Sequence, residues 1–269
     1  MMQPLTSAPT PALRKKVSAL ERILRSRLGN PALEMTSESP LDILVATILS
    51  QNTNDVNSHK AWVNLKRTFR SWDELLKASP KKVAKAIEVG GLKNQKARAI
   101  RALLRMLKKR TGRYSLAYLR LMSDRQALEH LQSFSGVGSK TAACVLVFGF
   151  GREVFPVDTH IHRILNRLGI VHTKTPEKTF DEMQRLTPPG RAYPFHVNLI
   201  RFGRETCQAR LPRCGQCVLY DLCAYPMKEQ FASASHSRTG TPDTRDFIIL
   251  HNLKRRAPAR PVDSARKKP

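Results

Sequence analysis

The chain has 269 residues, 41% of them hydrophobic, enough for one large domain or two smaller ones with their own cores. Lys and Arg number 47 against 21 Asp and Glu, a formal charge of +26 that points to polyanions and first of all to nucleic acid; the alternative is a membrane surface, but no basic amphipathic membrane helix stands out. No apolar run reaches the roughly 18 residues that span a bilayer, and residues 1–12, rich in Pro, Thr and Ser, read as a disordered lead-in and not a secretion signal, so the cytoplasm is the default location.

The predicted elements are all helical. Ser39-Pro40 supplies an N-cap and a first-turn proline, and Leu41, Leu44, Val45, Ile48 and Leu49 then share one face. Ser79-Pro80 repeats the device ahead of Val83, Ala84 and Ile87, with Gly90-Gly91 as the stop. Asn94 is the expected cap of a third helix whose stripe runs Ala97, Ile100, Leu104 and Leu107 to about Gly112. Ser123 with Gln126 makes a capping box for a helix that ends at Phe134. Thr175-Pro176 opens another, with Phe180, Met183 and Leu186 on its face and Pro188-Pro189-Gly190 closing it. No hairpin signal or period-two run interrupts this pattern. From Lys228 onward the chain turns rich in Ser, Thr, Arg and Pro, with Phe247 to Leu250 the one apolar interruption; residues 227–269 read as a flexible basic tail that adds nonspecific phosphate attraction.

The most specific stretch is Phe134-Ser135-Gly136-Val137-Gly138-Ser139-Lys140. Two glycines around one apolar residue make a tight turn between helices. The exposed amides of Gly136, Val137 and Gly138 and the helix start behind them form a concave phosphate site. Such a hairpin grips the DNA backbone without reading sequence. Downstream, Asp158 in Pro156-Val157-Asp158-Thr159-His160 stands just before a helix with Ile161, Ile164 and Leu165 on one face. A lysine at a helix start is usually solvated and an aspartate before a helix is usually only its cap; together and in this order they mean more.

The whole region resembles the helix-hairpin-helix glycosylase superfamily, and within it the endonuclease III family. The resemblance covers roughly residues 33–226. It implies that Lys140 is the nucleophile and Asp158 the second catalytic group. An amine attacks C1′ of the sugar, displaces the base and forms a Schiff base; it must be neutral to do so. The carboxylate steadies the sugar cation and moves protons during elimination. One departure is Ser135, where the family commonly has proline in a Leu-Pro-Gly-Val-Gly run.

Four of the five cysteines crowd one segment as C-x6-C-x2-C-x5-C: Cys207, Cys214, Cys217 and Cys223, with Cys144 alone in an apolar helix. Without a secretion signal the clustering argues for metal over disulfides. Spacing leaves zinc and iron–sulfur both open; the resemblance implies a 4Fe–4S cluster, structural and without a redox part in base removal. Arg210 and Arg213 lie in the first interval, where the closed loop would present them to phosphates.

A base inside a duplex has to be flipped out and the gap plugged. By resemblance Asn52 is the plug, with Gln51 beside it, and Leu92 is the apolar wedge of a second loop. Lys93 departs from an aromatic residue common after that leucine. His160 is a further expected DNA contact. The expected fold is all-α and two-lobed: a six-helix barrel over residues 33–152, and a cluster lobe from 13–32 with 153–226. The expected activity is a bifunctional glycosylase and abasic-site lyase, a monomer acting on oxidised pyrimidines in double-stranded DNA and nucleoid-associated if bacterial. The rivals are a monofunctional mismatch glycosylase, against which Lys140 speaks, and a noncatalytic DNA-binding relative.

Overall fold

The computed structural model describes residues 8–33 and 38–233. Among them the regular elements are twelve α-helices: α1 (Pro11–Leu28), α2 (Pro40–Ser50), α3 (Asp55–Thr68), α4 (Trp72–Lys77), α5 (Pro80–Ala86), α6 (Lys93–Thr111), α7 (Asp124–Gln132), α8 (Ser139–Phe150), α9 (Thr159–Arg167), α10 (Pro176–Leu186), α11 (Ala192–Glu205) and α12 (Lys228–Ser233). Single 3-10 turns lie at Glu88–Gly90, Ala117–Leu121 and Cys214–Gln216. No strand occurs among the described residues, and none of their helices is long and apolar enough to cross a membrane.

The caps explain where most helices begin. Ser39 and Ser123 form full capping boxes with Asp42 and Gln126, and Ser79 and Thr175 accept the third-position N–H ahead of Pro80 and Pro176. Three expectations need correction. The lead-in is shorter than residues 1–12, because the Thr10 hydroxyl accepts the Leu13 N–H and Pro11 starts α1; residues 1–7 lie outside the described residues. Asn94 is not a cap: α6 starts at Lys93, capped by Leu92 in a left-handed conformation with no side-chain bond. The tail does not begin at 227, since Lys228–Ser233 is helical and the Lys228 ammonium donates to the carbonyls of Tyr220 and Cys223 at 3.1 and 3.0 Å. Phe247 to Leu250 and the terminal basic runs lie outside the described residues.

Packing separates the helices into two groups. Helices α2 to α8 pack among themselves, while α1, α9, α10 and α11 form a second set that meets the first where α10 touches α8. Helix α8 is apolar all round, buried from Thr141 to Gly149, as expected of a helix at the centre of a core. A β-carbon on Gly149 would sit 3.2 Å from that of Pro40, so glycine is what lets α2 lie this close.

Candidate active site

Between the two groups opens a cleft of about 530 Å³, within the size range of small-molecule sites. One wall is the end of α2, the loop after it and the first turns of α8; the other is the segment before α9, with α9 and α11. Lys140 lines the first wall, in the opening turn of α8, where the helix N-terminus contributes positive potential. Asp158 lines the second.

Several bonds fix Asp158. Its Oδ1 accepts the Ile161 N–H at 2.9 Å and so caps α9. The extended chain leading to it is held at Phe155, whose N–H and carbonyl both bond the Gln184 amide at 2.9 and 2.8 Å. At Pro156 the carbonyl accepts from His196 Nδ1 at 2.9 Å. Burial raises the Asp158 carboxyl, but the Lys140 charge, the Ile161 N–H and the imidazoles of His196 and His160 outweigh it and leave the group below the usual carboxylate range. It is therefore an anion facing Lys140.

His196 is 1% exposed and lines the same cleft. Burial lowers its pKa to about 4 against the pull of Asp158. The ring is neutral, and its Nδ1 proton is committed to Pro156. Sequence reasoning passed over it, because one histidine in an apolar stripe looks like any core histidine. His160 lines the cleft too, half-buried, with Nδ1 3.2 Å from the Arg163 guanidinium. Cys144 also lines it, but burial pushes its thiol up to about 11 despite Lys140 nearby, so it stays protonated.

At the hairpin, Gly136 takes a φ of 81°, which only glycine adopts easily, and a β-carbon there would lie 3.2 Å from that of Ala99. Gly136 and Gly138 are exposed, while the Val137 side chain is buried. Val137 thus anchors the turn, and its N–H, expected to face a phosphate, instead donates to the Phe134 carbonyl at 3.1 Å.

Residues 45–189 match the HhH-GPD superfamily of base excision DNA repair proteins. The endonuclease III of Thermotoga maritima is 38% identical over 187 residues, covering 69% of this chain and 83% of that one. The Escherichia coli K12 endonuclease III is 36% identical over 216 residues, covering 79% and 98%. This chain belongs to the endonuclease III family. A solved non-covalent endonuclease III–DNA complex agrees in fold, with 25% identity and a TM-score of 0.69 over 81% of this chain and 98% of its own.

In this endonuclease III family member the two loops singled out from the sequence carry a shared backbone feature. Asn52 (φ 50°) and Leu92 (φ 45°) are the non-glycine residues at positive φ among those described. Both are exposed, Leu92 at 49%. Gln51 behaves differently: its amide donates to the Gly136 carbonyl at 2.9 Å and to Thr141 Oγ1 at 3.2 Å. It ties the loop to the hairpin and is not placed as a second plug. Lys93 pairs with Glu88 at 3.1 Å on the surface. Across the cleft mouth Arg204 of α11 donates to Asp55 of α3 at 2.8 Å, a bridge between the helix groups with no local sequence signal.

Cys207, Cys214, Cys217 and Cys223 line one small cavity with Arg167, Pro212 and Tyr225. All five cysteines are free thiols. Arg167 donates to Cys207 Sγ at 3.5 Å and to the carbonyls of Gln208 and Ala209 at 2.7 and 2.9 Å, and Arg163 donates to the Cys207 carbonyl at 2.8 Å. Burial first, and then the neighbouring cysteines, push up the Cys214 and Cys217 thiols, Cys217 to about 11. Among the described residues no group of three His, Cys, Asp or Glu side chains forms a ready cage for a metal ion. Arg210 stands exposed on this loop, whereas Arg213 is half-buried against the cysteine cavity.

Proposed function

We propose that this chain is a bifunctional base excision repair enzyme, a DNA glycosylase and abasic-site lyase on double-stranded DNA, with oxidised pyrimidines such as thymine glycol as its substrates. The observation that carries this reading is the pairing of Lys140 and Asp158 on facing walls of one cleft, directly behind the hairpin. In the reaction the Lys140 ammonium first gives up its proton to water, the freed amine attacks C1′, the bond from C1′ to the base breaks, and the base leaves with a proton. Opening of the sugar gives a Schiff base between Nζ and C1′. Loss of a proton from C2′ then expels the 3′ phosphate and cuts the strand, and water releases the lysine. The Asp158 anion steadies the positive charge on the sugar as the base departs. Gly136 and Gly138 hold a backbone phosphate, Asn52 and Leu92 occupy the emptied stack, and His160 and Arg210 add contacts to DNA. Arg213 completes the cluster loop.

Four soft donors lining one cavity, with the Arg167 guanidinium beside Cys207 Sγ to balance their charge, have the donor chemistry of a 4Fe–4S site. In this reading Cys207, Cys214, Cys217 and Cys223 hold the cluster, which serves as a covalent brace for the loop carrying Arg210. Helices α2 to α8, seven where six were expected, form the barrel domain with the hairpin, and α1 with the chain from 153 to 226 forms the cluster lobe. The enzyme acts as a cytoplasmic monomer.

Borohydride trapping tests the lysine. Wild-type protein on duplex DNA with an abasic site or thymine glycol gives a covalent adduct, and Lys140→Gln gives none. A folded, cluster-loaded wild type without an adduct would leave a monofunctional glycosylase or a binding protein. For the cluster, purified protein is expected to be brown with broad visible absorption; a colourless, zinc-containing preparation refutes it.

A further inference from the structure

Lys96 is a lysine that the catalytic reading does not use. It sits in the first turn of α6, is 3% exposed and does not line the cleft of Lys140. Its ammonium donates to the carbonyl of Leu49 at 2.7 Å and to that of Gly90 at 2.8 Å. Leu49 lies in the last turn of α2, where carbonyls lack helical partners, and Gly90 ends the 3-10 turn. From the first acceptor the chain runs straight into Asn52, and from the second into Leu92.

The two loops also approach closely at their glycines. A β-carbon on Gly90 would lie 3.0 Å from the Ala61 side chain and 3.8 Å from the Leu49 carbonyl; one on Gly91 would lie 3.9 Å from the Asn52 carbonyl. Left-handed conformations at an asparagine and a leucine persist only where their surroundings hold them. An apolar side chain of the same length would fill the Lys96 site without the cost of burying a charge. What the ammonium adds is the pair of bonds.

We infer that Lys96 is a positioning residue that clamps the Asn52 and Leu92 loops into one duplex-opening unit, so that plug and wedge enter the stack together. This deepens the proposed function and rests on it.

The test uses the full chain and two kinds of DNA. Borohydride trapping on a single-stranded abasic oligonucleotide needs Lys140 and Asp158 but no duplex opening. Thymine-glycol excision from duplex, and 2-aminopurine fluorescence from the base opposite an abasic-site analogue, need both. Lys96→Met is expected to trap on the single strand within twofold of wild type while losing at least tenfold in duplex excision and most of the fluorescence rise. Unchanged duplex behaviour overturns the clamp, and so does an equal loss on both substrates, which marks a general packing role. A second arm does not depend on that variant folding. Asn52→Ala and Leu92→Ala change exposed side chains, and for one unit the double variant loses less in duplex excision than the product of the single losses; losses that multiply mean two independent wedges. A wild type that neither excises nor traps refutes the enzyme reading itself, whereas an active wild type with either overturning result refutes the clamp alone.

Discussion

At the scale of single residues, Asp158 serves both fold and site, and the two roles separate experimentally. Asp158→Asn keeps an oxygen for the Ile161 N–H and gives up only the charge that its neighbours favour, so it should lose less unfolding stability than a variant that also loses the cap. Strand cleavage should nevertheless fall by orders of magnitude. Asp158→Ala should cost a further ~1 kcal/mol in urea unfolding from the lost cap. A matching loss of stability in the asparagine variant would show that the charge, and not the cap, holds this part of the fold. His196 gives a pH signature. Its folded value of about 4 lies below the ordinary 6.5, so its contribution is complete above pH 6.5 and is lost as pH falls toward 4. Over that window one proton contributes a slope of roughly 1.4 kcal/mol per pH unit. His59, His130 and His160 are lowered by burial in the same sense, so the comparison is with His196→Gln, which keeps a donor for Pro156 and should lose less stability on acidification. Parallel stability curves would rule out a buried neutral His196. Lys140 and Asp158 were legible because the hairpin and the following helix frame them in sequence; Lys96 and His196 were not, since the Leu49 and Pro156 carbonyls that they bond lie 47 and 40 residues away.

Among the elements, capped starts were the easiest to read but not all were read: Thr10-Pro11 opens α1 inside the expected lead-in, and α6, α8 and α11 start with no side-chain cap. A serine or threonine ahead of proline marks α2, α5 and α10, and each starts at that proline. Helix α6 starts from a left-handed leucine instead, one residue before Lys93 and with no side-chain cap, and Asn94 was therefore a false cap. Helices α3 and α4 carried too little contrast between faces to be picked out in the sequence, although Asn54 and Ser71 cap them. Leu92 also makes a prediction about strain. Because it is half exposed and left-handed, Leu92→Gly should raise thermal stability by roughly 1 kcal/mol through relief of the backbone. The same change should depress lesion excision from duplex DNA. A destabilised glycine variant would mean that the leucine is held for packing and not for use.

For the whole molecule, the +26 charge governs encounter more than chemistry. Affinity for undamaged duplex should fall steeply and log-linearly with salt, by a factor of about 1,000 or more between 50 and 200 mM if six or more phosphates are neutralised. A shallow slope in a salt titration by fluorescence anisotropy would assign most of the basic residues to a surface that DNA does not meet. The resemblance implied a cleft between two lobes with Lys140 and Asp158 on opposite walls, but not the contacts that close it. Its walls are brought together by contacts such as Arg204 with Asp55, which no local pattern announces.

The arrangement of α1 has a consequence for how the protein is made. Val17, Leu20 and Leu24 are fully buried, and α1 finds its partners in α10 and α11. Those helices leave the ribosome more than a hundred residues later, after the whole α2–α8 group. At roughly 5–20 residues per second the first helix waits on the order of ten seconds or more with its apolar face uncovered. The central group is able to settle in that interval, and α1 docks only after it. Chaperone capture during synthesis is therefore expected at this amphipathic stretch.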